Sequence, residues 1–114
     1  MTKILFLCGK NRRRSPSAEE IFSGMDGIEV SSAGTSPEAE CQVSGDLLEW
    51  ADKIFVMERV QKRHLTTHFA HNLKNKKIIC LDIPDRYSYM QPELVATLRS
   101  VAASVLRFTD LISL

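Results

Sequence analysis

A cysteine and an arginine six residues apart form the clearest chemical pattern in this sequence. Cys8 ends an apolar run, Arg14 and Ser15 follow it, and the residues between are glycine, asparagine and three basic side chains. A loop that leads from a strand into a helix turns successive backbone N–H groups toward one point, where the helix adds a partial positive charge. Such a site suits a phosphate dianion, and the same field favours the thiolate of a cysteine at its base. We therefore expect Cys8 to attack phosphorus and the Arg14 guanidinium to hold two phosphoryl oxygens.

Length and composition describe an ordinary globular protein. The 114 residues are 44% hydrophobic and 25% charged, which fits one domain over residues 1–114. A net charge of +1 gives no global field toward nucleic acid or a membrane, and we expect neither as a partner. The five apolar residues from Ile4 are too few for a signal-peptide core or a membrane span. The three cysteines form no CxxC pair, which indicates a reducing compartment, and we expect a cytoplasmic protein.

Short apolar runs alternate with helical patterns along the chain. We predict strands at 4–8, 28–32, 54–57 and 78–81. The predicted helices are one capped by Ser15 with an apolar face from Ala18 to Met25, one opened by Ser44, a polar one through His68, and a closing one from Leu94 to Ile112. This order predicts a single-domain α/β fold, with a four-stranded parallel sheet and helices on both faces. The loops after Cys8, Ser32, Met57 and Leu81 should then meet at one edge of the sheet, where ligands bind.

Four segments carry a resemblance to a known family. The run ILFLCGKNRRRSPSAE resembles the low-molecular-weight protein tyrosine phosphatases, whose pattern reads approximately VLFVCxGNxCRSPxAE. The segment 31–35 is similar to the family's SSAGT, 50–57 to its third strand, and 85–87 to its acid motif DPY. The resemblance covers most of the chain and is closest to a compact bacterial branch with the ending LDIPDxYxYMxPEL.

The resemblance implies a phosphatase that needs no cofactor and acts on phosphotyrosine proteins or small aryl phosphates through a phosphocysteine at Cys8. Inorganic phosphate or sulfate would bind the same loop. Asp85 would protonate the leaving phenol, and Tyr87 would contact the substrate ring. Asn11, aided by Ser32, would hold the turn of the loop. The implied phosphate-binding residues are Gly9, Lys10, Asn11, Arg12, Arg13, Arg14 and Ser15, with Ser15 also stabilising the thiolate.

The sequence departs from the family pattern at four places. Lys10 replaces a glycine, and Arg13 replaces the second loop cysteine, so the family's loop disulfide cannot form. Arg86 replaces the proline after the acid. The stretch between Thr35 and Asp46 is shorter than in full-length members, which removes a helix and part of the pocket wall.

Other interpretations of these residues stay open. Asp82 competes with Asp85 as the acid. Cys41 and Cys80 supply the number of cysteines that an arsenate reductase relay requires, without its close spacing. A non-catalytic module that binds oxyanions or phosphoproteins would need the loop alone. The basic loop residues could face solvent or recruit an anionic partner. His64, His68 and His71 could share one helix face, but no carboxylate or HExxH pattern accompanies them, and we expect no metal.

Overall fold

The computed structural model describes the backbone of residues 1–113 and the side chains as far as residue 102. Its strands are β1 Thr2–Cys8, β2 Ile28–Gly34, β3 Lys53–Val56 and β4 Ile78–Cys80. Its helices are α1 Arg14–Phe22, α2 Gly45–Trp50, α3 Arg59–His68 and α4 Pro92–Ser113, and a 3-10 turn spans Ala70–Leu73. No helix of this described part is long and apolar enough to cross a membrane.

The four strands form one parallel sheet in the order β2-β1-β3-β4. β1 is therefore a central strand with β2 on one side and β3 on the other. The carboxyl ends of all four strands lie at one edge, where the chain leaving β1 turns back into α1. The direction of winding reverses between β1 and β3, and open α/β sheets bind ligands at such a point.

Both faces of the sheet are covered, which explains why β1 is an unbroken apolar run. Ile4, Phe6 and Cys8 point to the face that α1 and α4 cover. Leu5 and Leu7 point to the opposite face, which α2 and α3 cover. The predicted fold class, a four-stranded parallel sheet with helices on both faces, is confirmed.

Some predicted boundaries are wrong by a few residues. α1 begins at Arg14, so its N-cap is Arg13 rather than Ser15, and the Arg13 side chain makes no capping hydrogen bond. The Ser15 hydroxyl lies instead beside the Cys8 sulfur. The same helix ends at Phe22, and Met25 is exposed.

The later helices agree better with the sequence pattern. Ser44 caps α2, as expected, and its hydroxyl accepts a hydrogen bond from Leu47 N at 3.2 Å. In α4, Leu94 and Leu98 are buried in the core. The side chains of Val105, Phe108 and Ile112 lie outside the described residues.

Candidate active site

The loop after β1 buries Cys8 at its base. The residue is only 3% exposed, and its Sγ lies 2.9 Å from the Ser15 hydroxyl. Strand β1 delivers the sulfur to the edge of the sheet, and the first turn of α1 brings Ser15 back to it. A hydroxyl at this distance can donate a hydrogen bond to a thiolate and stabilise its charge. The structure thus brings together the cysteine and the serine of the predicted motif.

Asn11 holds the turn of the loop. Its backbone has a φ of 55°, a left-handed conformation that asparagine tolerates better than most residues. Its Nδ2 donates to the hydroxyls of Ser15 and Ser32, each at 3.0 Å. The Ser32 hydroxyl in turn donates to Glu19 Oε1 at 2.5 Å. These bonds connect the loop to β2 and to α1. Glu19 belongs to this hydrogen-bond network, although the sequence analysis did not predict it.

The side chain of Arg14 is buried between the loop and two neighbouring segments. Its Nη1 donates to Glu58 Oε1 at 2.6 Å and to the backbone oxygen of Ile83 at 2.8 Å. Its Nε lies 3.7 Å from Asp85 Oδ1. A buried guanidinium needs such partners, because an unpaired charge inside a protein is strongly disfavoured. Glu58 was not predicted as a site residue. Its position just after β3, at the same edge of the sheet as the loop, could have indicated it.

The two candidate acids occupy different surroundings. Asp85 lies beside Arg14 on the open side of the cleft, and its side chain is 60% exposed. Asp82 lies against Arg59, with 4.0 Å between Oδ1 and Nε, and accepts a hydrogen bond from Cys80 Sγ at 3.4 Å. Of these two carboxylates, Asp85 is the one that lines the cleft with Cys8.

Tyr87 is not among the residues that line this cleft. Its half-buried ring packs against the core cluster of α1 and α4. The Arg86 guanidinium lies 5.4 Å from the ring centroid and donates to the Tyr87 hydroxyl at 3.3 Å. The contact between Tyr87 and an aromatic substrate ring stays a prediction.

The segment 36–40 supplies a short wall for the loop. Ser36 N donates to the backbone oxygen of Gly9 at 2.9 Å, and Glu40 N donates to that of Lys10 at 3.0 Å. The basic side chains are paired here as well, Lys10 with Glu38 at 3.6 Å and Arg12 with Glu40 at 3.0 Å.

Gly34 permits this close approach of the wall to the loop. A Cβ at Gly34 would clash with the Gly9 backbone oxygen and lie 2.7 Å from Ala39 Cβ. The end of β2 therefore has to be a glycine if residues 36–40 are to contact the loop.

The resulting cleft has a volume of about 340 Å³ and combines a nucleophile, four cations and two carboxylates. Its lining consists of Cys8, Gly9, Lys10, Arg12, Arg13, Arg14, Ser36, Glu58, Gln61 and Asp85. A thiol at the base and guanidinium groups on the walls can bind a phosphoryl group and present it for nucleophilic attack.

The two remaining cysteines are each separated from Cys8 by a strand. Cys8 pairs with Gly34 of β2, and Gly34 bridges to Gln42, the neighbour of Cys41. On the other side, β3 lies between β1 and the strand that carries Cys80. Two strand spacings amount to about 9–10 Å, which exceeds the Cα separation of about 7 Å that a disulfide tolerates. Neither cysteine can bridge to Cys8 without movement of the backbone.

The histidines do not gather at the site. The rings of His64 and His68 lie 4.6 Å apart on α3, while His71 belongs to the 3-10 turn. Burial and the neighbouring His68 lower the pKa of His64. Within the described part of the chain, no group of three histidine, cysteine or acidic side chains is placed to hold a metal ion.

Comparison with known proteins identifies the family. The model of the low molecular weight phosphotyrosine protein phosphatases matches residues 3–83, and the chain belongs to that family of phosphoric monoester hydrolases. No curated protein sequence matches the chain significantly. The family match contains the loop, Arg14 and Glu58, and it ends just before Asp85.

Several solved structures share the fold. The chain is similar to the YwlE arginine phosphatase from Geobacillus stearothermophilus, with 22% identity, a TM-score of 0.73, and coverage of 99% of this chain and 94% of that one. It is similar to the low molecular weight protein tyrosine phosphatase of Streptococcus pyogenes, with 20% identity, a TM-score of 0.78, and coverage of 94% and 92%. It is also similar to Wzb of Vibrio vulnificus in complex with benzylphosphonate, with 21% identity, a TM-score of 0.71, and coverage of 96% and 97%.

Proposed function

We propose that this protein is a cysteine-dependent phosphatase that hydrolyses phosphotyrosine or related aryl phosphate monoesters through a phosphocysteine intermediate. The observation that carries this proposal is that Cys8, Arg14 and Asp85 line one cleft, with the cysteine at its base. The free state of all three cysteines suits a reducing compartment, and we place the enzyme in the bacterial cytoplasm.

In the first step, the Cys8 thiolate attacks phosphorus. A sulfur–phosphorus bond forms while the bond from phosphorus to the aryl oxygen breaks, and Asp85 gives its proton to that oxygen. The backbone N–H groups of the loop and the Arg14 guanidinium stabilise the charge on the equatorial oxygens. Since Glu58 and Ile83 occupy Nη1, the edge formed by Nε and Nη2 is the one that can hold two phosphate oxygens.

In the second step, water attacks the phosphocysteine. The Asp85 carboxylate takes a proton from the water, the sulfur–phosphorus bond breaks, and inorganic phosphate leaves. The Ser15 hydroxyl, 2.9 Å from the sulfur, makes the thiolate a better leaving group by donating a hydrogen bond to it. Asn11 Nδ2 donates to the same hydroxyl at 3.0 Å and so helps to hold it in place.

The test is hydrolysis of para-nitrophenyl phosphate by the wild type and three variants. Cys8→Ser should abolish turnover, and Asp85→Asn should lower kcat by about 10²-fold, the usual contribution of a general acid. Asp82→Asn is the matched control, because that carboxylate lies away from the cleft, and it should keep wild-type turnover. A wild type that binds phosphate without turnover would instead identify a phosphate-binding module.

The substrate class is tested with phosphopeptides. The Geobacillus relative is an arginine phosphatase, so peptides with phosphotyrosine or phosphoarginine in one flanking sequence should be compared. We expect faster hydrolysis of phosphotyrosine, and faster hydrolysis of phosphoarginine would contradict the proposed aryl specificity.

An arsenate reductase reaction is disfavoured by the strands that separate Cys41 and Cys80 from Cys8. We expect no thioredoxin-dependent reduction of arsenate. Reduction that is lost in Cys80→Ser would reverse this assignment.

A further inference from the structure

A groove runs along the outer side of the sheet, between α3 and β4. It has two adjoining halves of about 590 and 460 Å³, and Lys62 and Thr66 line both. The half nearer the catalytic edge also contains Arg59, Arg63 and Cys80. The far half contains Lys77 and Ile78. We refer to this feature as the α3–β4 groove.

One wall of the groove is a basic stripe of α3. Arg59, Lys62, Arg63 and Thr66 recur at the spacing that places side chains on one face of a helix. Arg59 has a distant partner in Asp82 at 4.0 Å, and both side chains are largely exposed. Lys62 and Arg63 form no ion pair within the described residues, so their charges are free to attract an anion.

The opposite wall is the edge strand of the sheet. β4 pairs with β3 on one side, and no further strand of the described chain follows it in the sheet. Ile78 and Cys80 face the groove and are only half-buried, which leaves an apolar strip beside the basic stripe. An open strand edge offers backbone N–H and C=O groups to an extended segment, and alternate side chains of that segment can enter adjacent pockets.

The groove opens beside the catalytic cleft. Arg59 directly follows Glu58, which holds Arg14 and lines the cleft. Asp82 lines the half of the groove nearer the catalytic edge, and it precedes Asp85 by three residues in the same loop. A chain lying in the groove could therefore continue into the cleft.

We propose that the α3–β4 groove binds an acidic, extended segment of the phosphoprotein substrate, adjacent to the residue that is dephosphorylated. That the bound protein is a substrate rests on the proposed function, whereas the binding of an acidic segment does not. Lys62 and Arg63 attract its carboxylates, and Ile78 and Cys80 contact its apolar side chains. The groove lacks the aromatic platforms on which nucleic-acid bases stack.

The first experiment measures binding without catalysis. Two fluorescent peptides without phosphate, one with a tract of Asp and Glu and one with Asn and Gln in their place, are titrated with the Cys8→Ser protein. The acidic peptide should bind roughly tenfold more tightly at low salt, and the difference should shrink as salt screens the charges. Lys62→Gln/Arg63→Gln should abolish the preference. Lys74→Gln/Arg99→Gln, which removes two exposed charges outside the groove, should keep it.

A second measurement locates the peptide. Alkylation of Cys80 by iodoacetamide, read by mass spectrometry, should slow in the presence of the acidic peptide, while alkylation of the exposed Cys41 should not change. Equal protection of both cysteines, or of neither, would place the peptide elsewhere and overturn the proposal.

The third measurement tests the link to catalysis. A phosphotyrosine peptide with the acidic tract should have a kcat/KM roughly tenfold above its Asn and Gln counterpart, and Lys62→Gln/Arg63→Gln should remove this advantage. Turnover of para-nitrophenyl phosphate should be the same in the wild type and in Lys62→Gln/Arg63→Gln. Turnover with no preference for the acidic tract would overturn the groove proposal alone.

Two further outcomes separate the proposals. Acidic-peptide binding in a protein without any phosphatase activity would leave the groove in place and remove the proposed function. The choice of partner is tested with an RNA oligonucleotide and with vesicles that contain anionic lipid. It would be overturned if either bound the protein more tightly than the acidic peptide does and no longer bound the Lys62→Gln/Arg63→Gln variant.

Discussion

Arg14 illustrates how one buried charge depends on residues far away in sequence. Its guanidinium is paired with Glu58 from the start of α3 and with the backbone of Ile83 from the loop after β4. Removing one partner of a buried ion pair leaves the other charge uncompensated. Glu58 is therefore a positioning residue, because it orients the side chain that we propose to hold the phosphoryl group.

We expect Glu58→Gln to lower kcat/KM for para-nitrophenyl phosphate about tenfold. A hydrogen bond to a charged group contributes about 1.5–3 kcal/mol, and 1.36 kcal/mol corresponds to a factor of ten in rate. The amide keeps the shape of the side chain but loses its charge. The inhibition constant of inorganic phosphate should change together with kcat/KM, which a merely structural role would not produce. Glu29→Gln, at an exposed position of β2, serves as the control, and equal kinetics in both variants would contradict the assignment.

At the scale of elements, α3 connects the fold to the site. Its first turn is closed by a capping box, in which Glu58 N donates to Gln61 Oε1 at 2.6 Å and the Gln61 backbone N–H donates to the Glu58 side chain. Gln61 Nε2 also donates to Glu58 Oε1 at 3.4 Å. The same Glu58 oxygen accepts from Arg14. The start of the helix and the orientation of the arginine therefore depend on one carboxylate.

The other end of α3 should make stability depend on pH. Burial, and secondarily the charge of His68, lower the pKa of His64 from its usual value of 6.5. The unfolded chain then binds a proton more readily than the folded chain, so the free energy of unfolding should fall as pH drops below about 6.5. His64→Gln should reduce the fall in Tm between about pH 7 and pH 5, as followed by circular dichroism. His71→Gln is the matched control, and an unchanged slope in His64→Gln would contradict the prediction.

At the scale of the whole molecule, Phe6 occupies the centre of the larger core. Its ring stacks on Phe22 of α1 at 5.6 Å and on Phe55 of β3 at 5.3 Å, measured between centroids. It also lies two residues before Cys8 on the central strand. The packing of this layer therefore supports the base of the active-site loop directly.

Phe6→Ala should lower the free energy of unfolding by about 3–5 kcal/mol, the usual cost of removing a buried aromatic ring. Urea denaturation measures the loss. Met25→Ala is the control, because this side chain is exposed, and it should change stability by less than about 0.5 kcal/mol. Similar urea denaturation midpoints for both variants would contradict the prediction that the aromatic stack stabilises the core.

The local part of the site could be predicted from the sequence by itself. Cys8, Asn11 and Ser15 lie on a strand, a loop and a helix that follow one another directly in the chain. Because only a few residues separate them in sequence, local structure is enough to bring them together. The alternation of apolar runs and helical patterns likewise determined the parallel sheet, since strands joined by helices have few other ways to bury both faces. The family pattern indicated Asp85, which the structure places beside Arg14.

Only the tertiary structure decided which distant side chains complete the site. Glu19, Glu58 and the wall at 36–40 reach the loop from separate elements, and their places depend on strand order and packing rather than on local pattern. Packing also decided that the ring of Tyr87 lies partly against the core, whereas its contact with substrate stays a prediction. The α3–β4 groove has the same origin, because a basic helix stripe becomes a groove only when an edge strand lies beside it.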